Sequence, residues 1–371
     1  MTLPVTGDGD HSGEGRAILV FRRDFVNFAN MKERLLGKSP DELKNIALEA
    51  GLPAFAGKQI AQWLYQKRVS DISEMTNLSR QGREVLSEKY EVGMARPLDV
   101  QTSADGTRKY LFPVNGDAAN AVEAVMIPDE DRKTLCVSSQ AGCKMSCKFC
   151  MTGRQGFHGN LSAADILSQF FAIEEAGQLT NTVFMGMGEP LDNWDEVKRV
   201  IDVLTAGWGL AWSPKRVTLS TIGVLPALRK YLDECKCHLA VSLHNPFPEE
   251  RLQMMPAQKA WPLEELIALL KEYDFTGQRR VSFEYTVFDG WNNTKRHADG
   301  LLRLLQGLEC RVNLIRFHRI PDFPYGPAPL AQMEAFRDRL TRGGVTATIR
   351  ASRGEDIFAA CGLLAGKHNE R

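Results

Sequence analysis

The rhythm of apolar and polar residues changes once along this chain. Up to about residue 97 the spacing is helical. Ser39-Pro40-Asp41-Glu42 predicts a helix start, with an N-cap serine, proline at the first helical position and a glutamate three residues after the cap. Leu43, Ile46, Ala47 and Ala50 hold helical spacing until Gly51. Further helices are predicted through Lys58–Tyr65 and Ser79–Lys89. From about Thr107, apolar strand-like runs take over at Thr134–Ser139, Thr182–Met187, Arg216–Thr221, His238–Leu243, Arg280–Phe288 and Arg311–Phe317. Helical stretches fall between them at Ser162–Gly177, Trp194–Ala206, Val224–Leu232, Leu263–Tyr273 and Thr294–Leu305. A last unit, Met333–Leu340 then Val345–Ile349, leads into the tail. Such alternation predicts parallel strands joined by crossovers. The expected class is α/β, a (β/α)6 partial barrel whose chemistry lies at the C-terminal strand ends. The boundaries read as a loosely ordered extension over 1–30, a helical accessory domain over 31–97 and a core domain with its tail over 98–366.

Polar and glycine-rich motifs fall at those strand ends. After the first strand comes Cys143-Lys144-Met145-Ser146-Cys147-Lys148-Phe149-Cys150, a C-x3-C-x2-C spacing with no fourth cysteine nearby. Structural zinc closes its tetrahedron with four protein ligands. Three thiolates in one loop suit a 4Fe-4S cluster with one iron left open, the signature of radical S-adenosylmethionine (SAM) enzymes. A zinc loop completed by a distant His158 or Cys136 is the alternative. The second strand ends in Gly186-Met187-Gly188-Glu189-Pro190, where glycine admits a ligand to the backbone and Glu189 can accept from an ammonium. Ser220 ends the third strand, Ser242-Leu243-His244 the fourth, and Asn313 lies on the sixth. Each offers hydroxyl, imidazole or amide groups to the ribose, amino acid or adenine of a cofactor.

Composition bounds the rest. With 371 residues, 43% hydrophobic and 25% charged, the chain has the make-up of an ordinary water-soluble protein. No apolar run reaches the length of a membrane span, and Met1–Arg16 lacks the layout of a secretory signal, so a cytoplasmic location is expected. Eight cysteines in a reducing compartment point to metal or redox chemistry. Formal net charge is zero, but Arg132–Asn160 carries Arg132, Lys133, Lys144, Lys148 and Arg154 without one acid. Arg339–Gly354 repeats this with Arg339, Arg342, Arg350 and Arg353, and Arg311, Arg316 and Arg319 form a third such stretch. Acid-free stretches of this kind suit a polyanionic substrate.

Thr134–Gln140, the cysteine loop, Gly186–Pro190, Ser242–His244 and the C-terminal Arg353-Gly354-Glu355-Asp356-Ile357-Phe358-Ala359-Ala360-Cys361-Gly362 together resemble the RlmN family, bacterial radical SAM methyltransferases. The resemblance covers nearly everything from Pro40 to Gly366. It implies methylation of adenine C2 in 23S rRNA, at the peptidyl transferase centre, and in the tRNA anticodon loop, consuming two SAM per turnover. Adenine C2 is electron-poor and cannot attack a SAM methyl directly. By this resemblance Cys361 takes a methyl from one SAM. A second SAM, bound at the open iron, gives a 5′-deoxyadenosyl radical that abstracts hydrogen from that methyl. The methylene radical then adds to C2, Glu123 removes the C2 proton, and Cys136 attacks sulfur, releasing product with a Cys136–Cys361 disulfide. SAM would be held by Gly188, Glu189, Ser220, Ser242, Leu243, His244 and Asn313, and the cluster by Cys143, Cys147 and Cys150. Also expected are an electron donor such as flavodoxin or ferredoxin, no membrane partner and a monomeric state. Without the resemblance, Cys136, Cys361 and Glu123 read as ordinary core or strand residues. Cys235, Cys237 and Cys310 read as structural. The rivals are a Cfr-like adenine-C8 methyltransferase and a zinc-stabilised RNA-binding protein without catalysis.

Overall fold

Seven parallel strands form the body of one ten-stranded sheet. In spatial order they are Thr346–Ile349, Cys310–Arg316, Val281–Val287, His238–Ser242, Val217–Thr221, Asn181–Phe184 and Arg132–Cys136. Neighbours are in parallel register throughout, from Arg311 opposite Thr346 to Thr134 opposite Asn181. Sequential strands lie side by side, each connection being a crossover that carries a helix. Those helices include Ala163–Phe171, Trp194–Thr205, Leu225–Glu234, Leu263–Leu270, Lys295–Leu304 and Leu330–Arg342. The expected six-unit partial barrel is therefore present, with the last strand as a seventh. The structure is a computed structural model and describes residues 32–366. The expectation for residues 1–30 lies outside the described residues. Among the described residues, no helix is long and apolar enough to cross a membrane.

The sheet also continues past Arg132–Cys136 through three antiparallel strands, Asp117–Asp129, Arg108–Val114 and Asp99–Thr102. The pattern reading did not resolve this extension, although its hairpin signal is in the sequence. Asn115 and Gly116 both have positive φ, 51° and 78°, as a two-residue turn between twisted strands requires.

The N-terminal helices form where expected, at Pro40–Glu49, Ala56–Ala61 and Arg80–Lys89. Ser39 and Glu42 make the reciprocal capping box. The second helix widens into a π-helical turn over Gln62–Lys67, which buries both Leu64 and Tyr65 although they are adjacent. These helices share a hydrophobic core with those of the sheet, Tyr65 packing 5.4 Å from Trp208. Arg34 donates to Asp165 at 2.7 Å, and Arg199 to Glu42 at 2.9 Å. The first two helices cross so closely that a Cβ on Gly57 would lie 2.5 Å from Lys44 Cα. Helix propensity alone makes Gly57→Ala stabilising by about 1 kcal/mol. Contact with rigid backbone reverses the sign, and a destabilisation of about 2 kcal/mol is expected in urea unfolding.

Candidate active site at the strand ends

Successive βα loops are tied to one another by polar groups. Gln140 Oε1 accepts from the Glu189 backbone N–H at 2.8 Å. The Glu189 carboxylate accepts from Leu191 in its own loop at 3.1 Å and from Ile222 in the next at 2.9 Å. Arg251, fully buried, donates to the carbonyls of Ile222, Ser242 and Leu243 and to the Gln258 side chain. His244 Nδ1 accepts from the Thr286 N–H at 2.9 Å. Burial, then the nearby Arg251 charge, pushes the His244 imidazolium pKa down to about 3, so the neutral ring carries its proton on Nε2. Burial also lifts the Glu189 carboxyl to about 7 despite its N–H donors, an environment that favours a cationic ligand.

These ties enclose a cavity lined by Cys143, Cys147, Cys150, Gly188, Glu189, Ser220, Ser242 and His244, the residues expected there from sequence. A Cβ on Gly188 would stand 2.5 Å from the Gln140 side chain, so only glycine fits this wall. Phe149, the aromatic before the last cysteine, packs edge-on against His244 at 4.8 Å and Phe288 at 5.5 Å. Cys361 opens on the same cavity from the C-terminal tail. Among the described residues, no three Cys, His, Asp or Glu converge on one point as the ligands of a lone zinc ion do. Three thiols from one loop, all lining this cavity, are the donor set that suits a 4Fe-4S cluster. Burial holds all three thiols above their ordinary pKa, so they need bound metal charge to become thiolates.

Four expectations need correcting or refining. Leu243 is buried and its side chain does not line the cavity; its backbone is used, the N–H donating to the Glu284 carbonyl at 3.0 Å and the carbonyl accepting from Arg251 and from the Asn245 N–H. Asn313 does not reach this cavity. It sits in mid-strand, donating to Glu284 at 2.7 Å and accepting from Thr348, and it lines a second cavity at the opposite strand ends. Glu123 does not line the cavity either, and its carboxylate is engaged by Lys109 and by the backbone of Ala365 and Gly366. No disulfide is present: all eight cysteines are free, Cys136 buried and Cys361 exposed. Burial pushes the Cys136 thiol up to about 12, Cys361 adds to the rise, and the Arg350 guanidinium opposes it.

The second cavity, about 630 Å3, opens at the N-terminal strand ends. Its rim carries Arg132, Lys215, Arg216, Arg280, Arg311 and Arg353. Met185, Glu284 and Arg350 line both cavities, so the two meet there. Arg350 approaches Glu284 at 3.4 Å and Met185 Sδ at 3.3 Å. The acid-free stretches are thereby divided. Arg132, Arg311 and Arg353 line the mouth, where Arg132 and Arg353 share Asp129 at 3.0 and 3.8 Å, and Lys144 of the cysteine loop pairs with Asp192 at 2.8 Å. Sequence reading missed Glu284 and Arg251; the signal for the first was one acid inside the apolar run Val281–Val287.

Residues 137–299 match the radical SAM superfamily, and residues 34–92 match the ribosomal RNA large subunit methyltransferase N-terminal domain. The fold is similar to that of a radical SAM methyltransferase from Sphaerobacter thermophilus, with a TM-score of 0.84 and 36% identity, covering 90% of this chain and 100% of that one. Fold and site define a radical SAM methyltransferase, an enzyme that uses a 4Fe-4S cluster and SAM. A probable dual-specificity RNA methyltransferase RlmN of Porphyromonas gingivalis is 58% identical over 331 residues, 89% of this chain and 96% of that protein. The dual-specificity RNA methyltransferase RlmN of Syntrophus aciditrophicus is 39% identical over 346 residues, 92% and 98% of the two chains. The chain belongs to the RlmN family.

Arg251 is the tie most open to test. Arg251→Met keeps the volume but removes the side-chain donor to the buried carbonyls of Ile222, Ser242 and Leu243, of which the last still accepts from the Asn245 N–H at 2.7 Å. A loss of about 3 kcal/mol or more is expected in chemical denaturation of the metal-free protein.

Proposed function

We propose that this protein methylates C2 of an adenine in both 23S rRNA and tRNA, with Cys361 as the carrier of the transferred carbon. The observation that carries the reading is the position of Cys361. Its exposed thiol opens on the cavity of Cys143, Cys147 and Cys150, beside Cys136 and Arg350. The RNA methyltransferase relatives and the match over residues 34–92 support RNA as substrate, and C2 rather than C8 is what the resemblance to the RlmN family implies.

Cys143, Cys147 and Cys150 hold the cluster, while Gly188, Glu189, Ser220, Ser242 and His244 hold SAM, the Glu189 carboxylate accepting its ammonium. When bound, the cluster supplies the electron that cleaves SAM, so that a methyl group on Cys361 can be activated by hydrogen abstraction. The basic mouth receives the RNA backbone and admits one unstacked base, since chemistry on a base needs it out of the stack. Cys136 is the thiol that resolves the RNA–Cys361 adduct. It rests protonated, and Arg350 favours the thiolate it must become. The exposed Lys144, Ser146 and Lys148 mark the side from which an electron donor such as flavodoxin or ferredoxin approaches. The enzyme works as a cytoplasmic monomer in this account.

Two outcomes test it. Cys136→Ala is expected to accumulate a protease-sensitive, RNA-linked species that Cys361→Ala cannot form, read by denaturing gels and mass spectrometry; no adduct in either variant contradicts the carrier. Affinity for both RNAs is expected to fall steeply with salt, and Arg311→Ala to lower the salt slope by about 1, alike for rRNA and tRNA fragments. Binding indifferent to ionic strength, measured by filter binding, contradicts the basic mouth.

A further inference from the structure

The segment that carries Cys361 is a strap pinned on both sides of the thiol. Upstream, the Gly354 N–H donates to Asp105 at 3.0 Å, and Asp356 accepts from Ser103 Oγ and the Ala104 N–H. Downstream, the Met151 N–H donates to the Gly362 carbonyl at 2.8 Å, and Thr152 Oγ1 to the Leu364 carbonyl at 2.8 Å. Glu123 then closes the strap. One carboxylate oxygen accepts from the N–H groups of Ala365, at 2.7 Å, and Gly366, at 3.0 Å. The other meets Lys109 Nζ at 2.9 Å, with only 5% and 3% of the two side chains exposed.

The sheet register explains the pair. Lys109 lies opposite Val125 and Leu111 opposite Glu123, so Lys109 and Glu123 are diagonal neighbours on one face. Val125 in turn lies opposite Cys136, which puts this ion pair one strand from the second thiol. A buried charge pair is costly to desolvate, and a tail could be anchored by neutral groups instead. Gly366 completes the fit: its φ is +62°, and a Cβ there would stand 2.3 Å from the Ala121 carbonyl oxygen.

We propose that Glu123, with Lys109 as its counter-charge, is a positioning residue that latches the C-terminal strap and so sets where the Cys361 thiol stands. The inference rests on Cys361 as the methyl carrier and gives Glu123 a role distinct from that of a base. A base acts after RNA has joined the enzyme. A latch acts before, while Cys361 is taking its methyl from SAM.

The experiment therefore omits RNA. Amide hydrogen exchange of residues 361–366 and methyl gain at Cys361, by intact mass with SAM, are followed in wild type, Glu123→Gln, Lys109→Met, Lys109→Arg and Gly366→Ala. Exchange in the core strand Val281–Val287 reports that each variant is folded. Glu123→Gln, Lys109→Met and Gly366→Ala are expected to raise strap exchange and slow Cys361 methylation by about tenfold or more, the effect of losing a charge-assisted bond. Lys109→Arg is expected to restore both. Wild-type strap exchange in Glu123→Gln and Gly366→Ala would overturn the latch, as would Glu123→Gln that methylates Cys361 normally. Wild-type Cys361 that never gains a methyl would instead overturn the carrier reading, with strap exchange still reporting on the latch.

Discussion

The site depends on a sequence of polar ties around the C-terminal rim of the sheet. A parallel sheet ends in loops whose backbone groups have no ladder partners, and buried groups of that kind must be paired. Here Gln140 holds the Glu189 loop, Glu189 holds the Ile222 loop, and Arg251 binds the carbonyls of Ile222, Ser242 and Leu243. His244 then reaches the next strand at Thr286. Loops that would otherwise move independently become one wall. The ties Glu189 and His244 also face the cavity, so the bonds that fix the wall orient the groups that hold a ligand.

That wall closes one end of the partial barrel, and the basic mouth opens the other. The two cavities meet at Met185, Glu284 and Arg350. Arg350 is the cation of the junction, its guanidinium 3.4 Å from the Glu284 carboxylate. A redox-active cofactor and a polyanionic substrate can thus be bound from opposite sides, with the Cys361 thiol opening on the cysteine-loop cavity that Arg350 also lines.

Much of this was legible in the sequence, for physical reasons. The C-x3-C-x2-C spacing, the glycines of Gly186–Pro190 and the strand–helix alternation are local signals, each set by geometry within a few residues. What the sequence concealed is which face and which depth a residue takes. Val312 and Leu314 are buried on one face of their strand, so Asn313 between them points to the other. Its mid-strand position then puts it below the SAM cavity, not at the rim. Arg350 looked like one more phosphate contact in an acid-free stretch, and its partner Glu284 lies 66 residues away. Glu123 was placed by resemblance, but its contacts with Lys109, Ala365 and Gly366 arise only when the tail folds back on the antiparallel extension.

The central claim is that RNA enters at the arginine-rimmed mouth, opposite the cysteine loop. Photo-crosslinking of the enzyme to RNA carrying 4-thiouridine next to the target adenine, with the crosslinked peptides read by mass spectrometry, tests it most directly. The account requires crosslinks in peptides containing Arg216, Arg280 or Arg311. Crosslinks confined to the loop from Lys144 to Arg154 would contradict it.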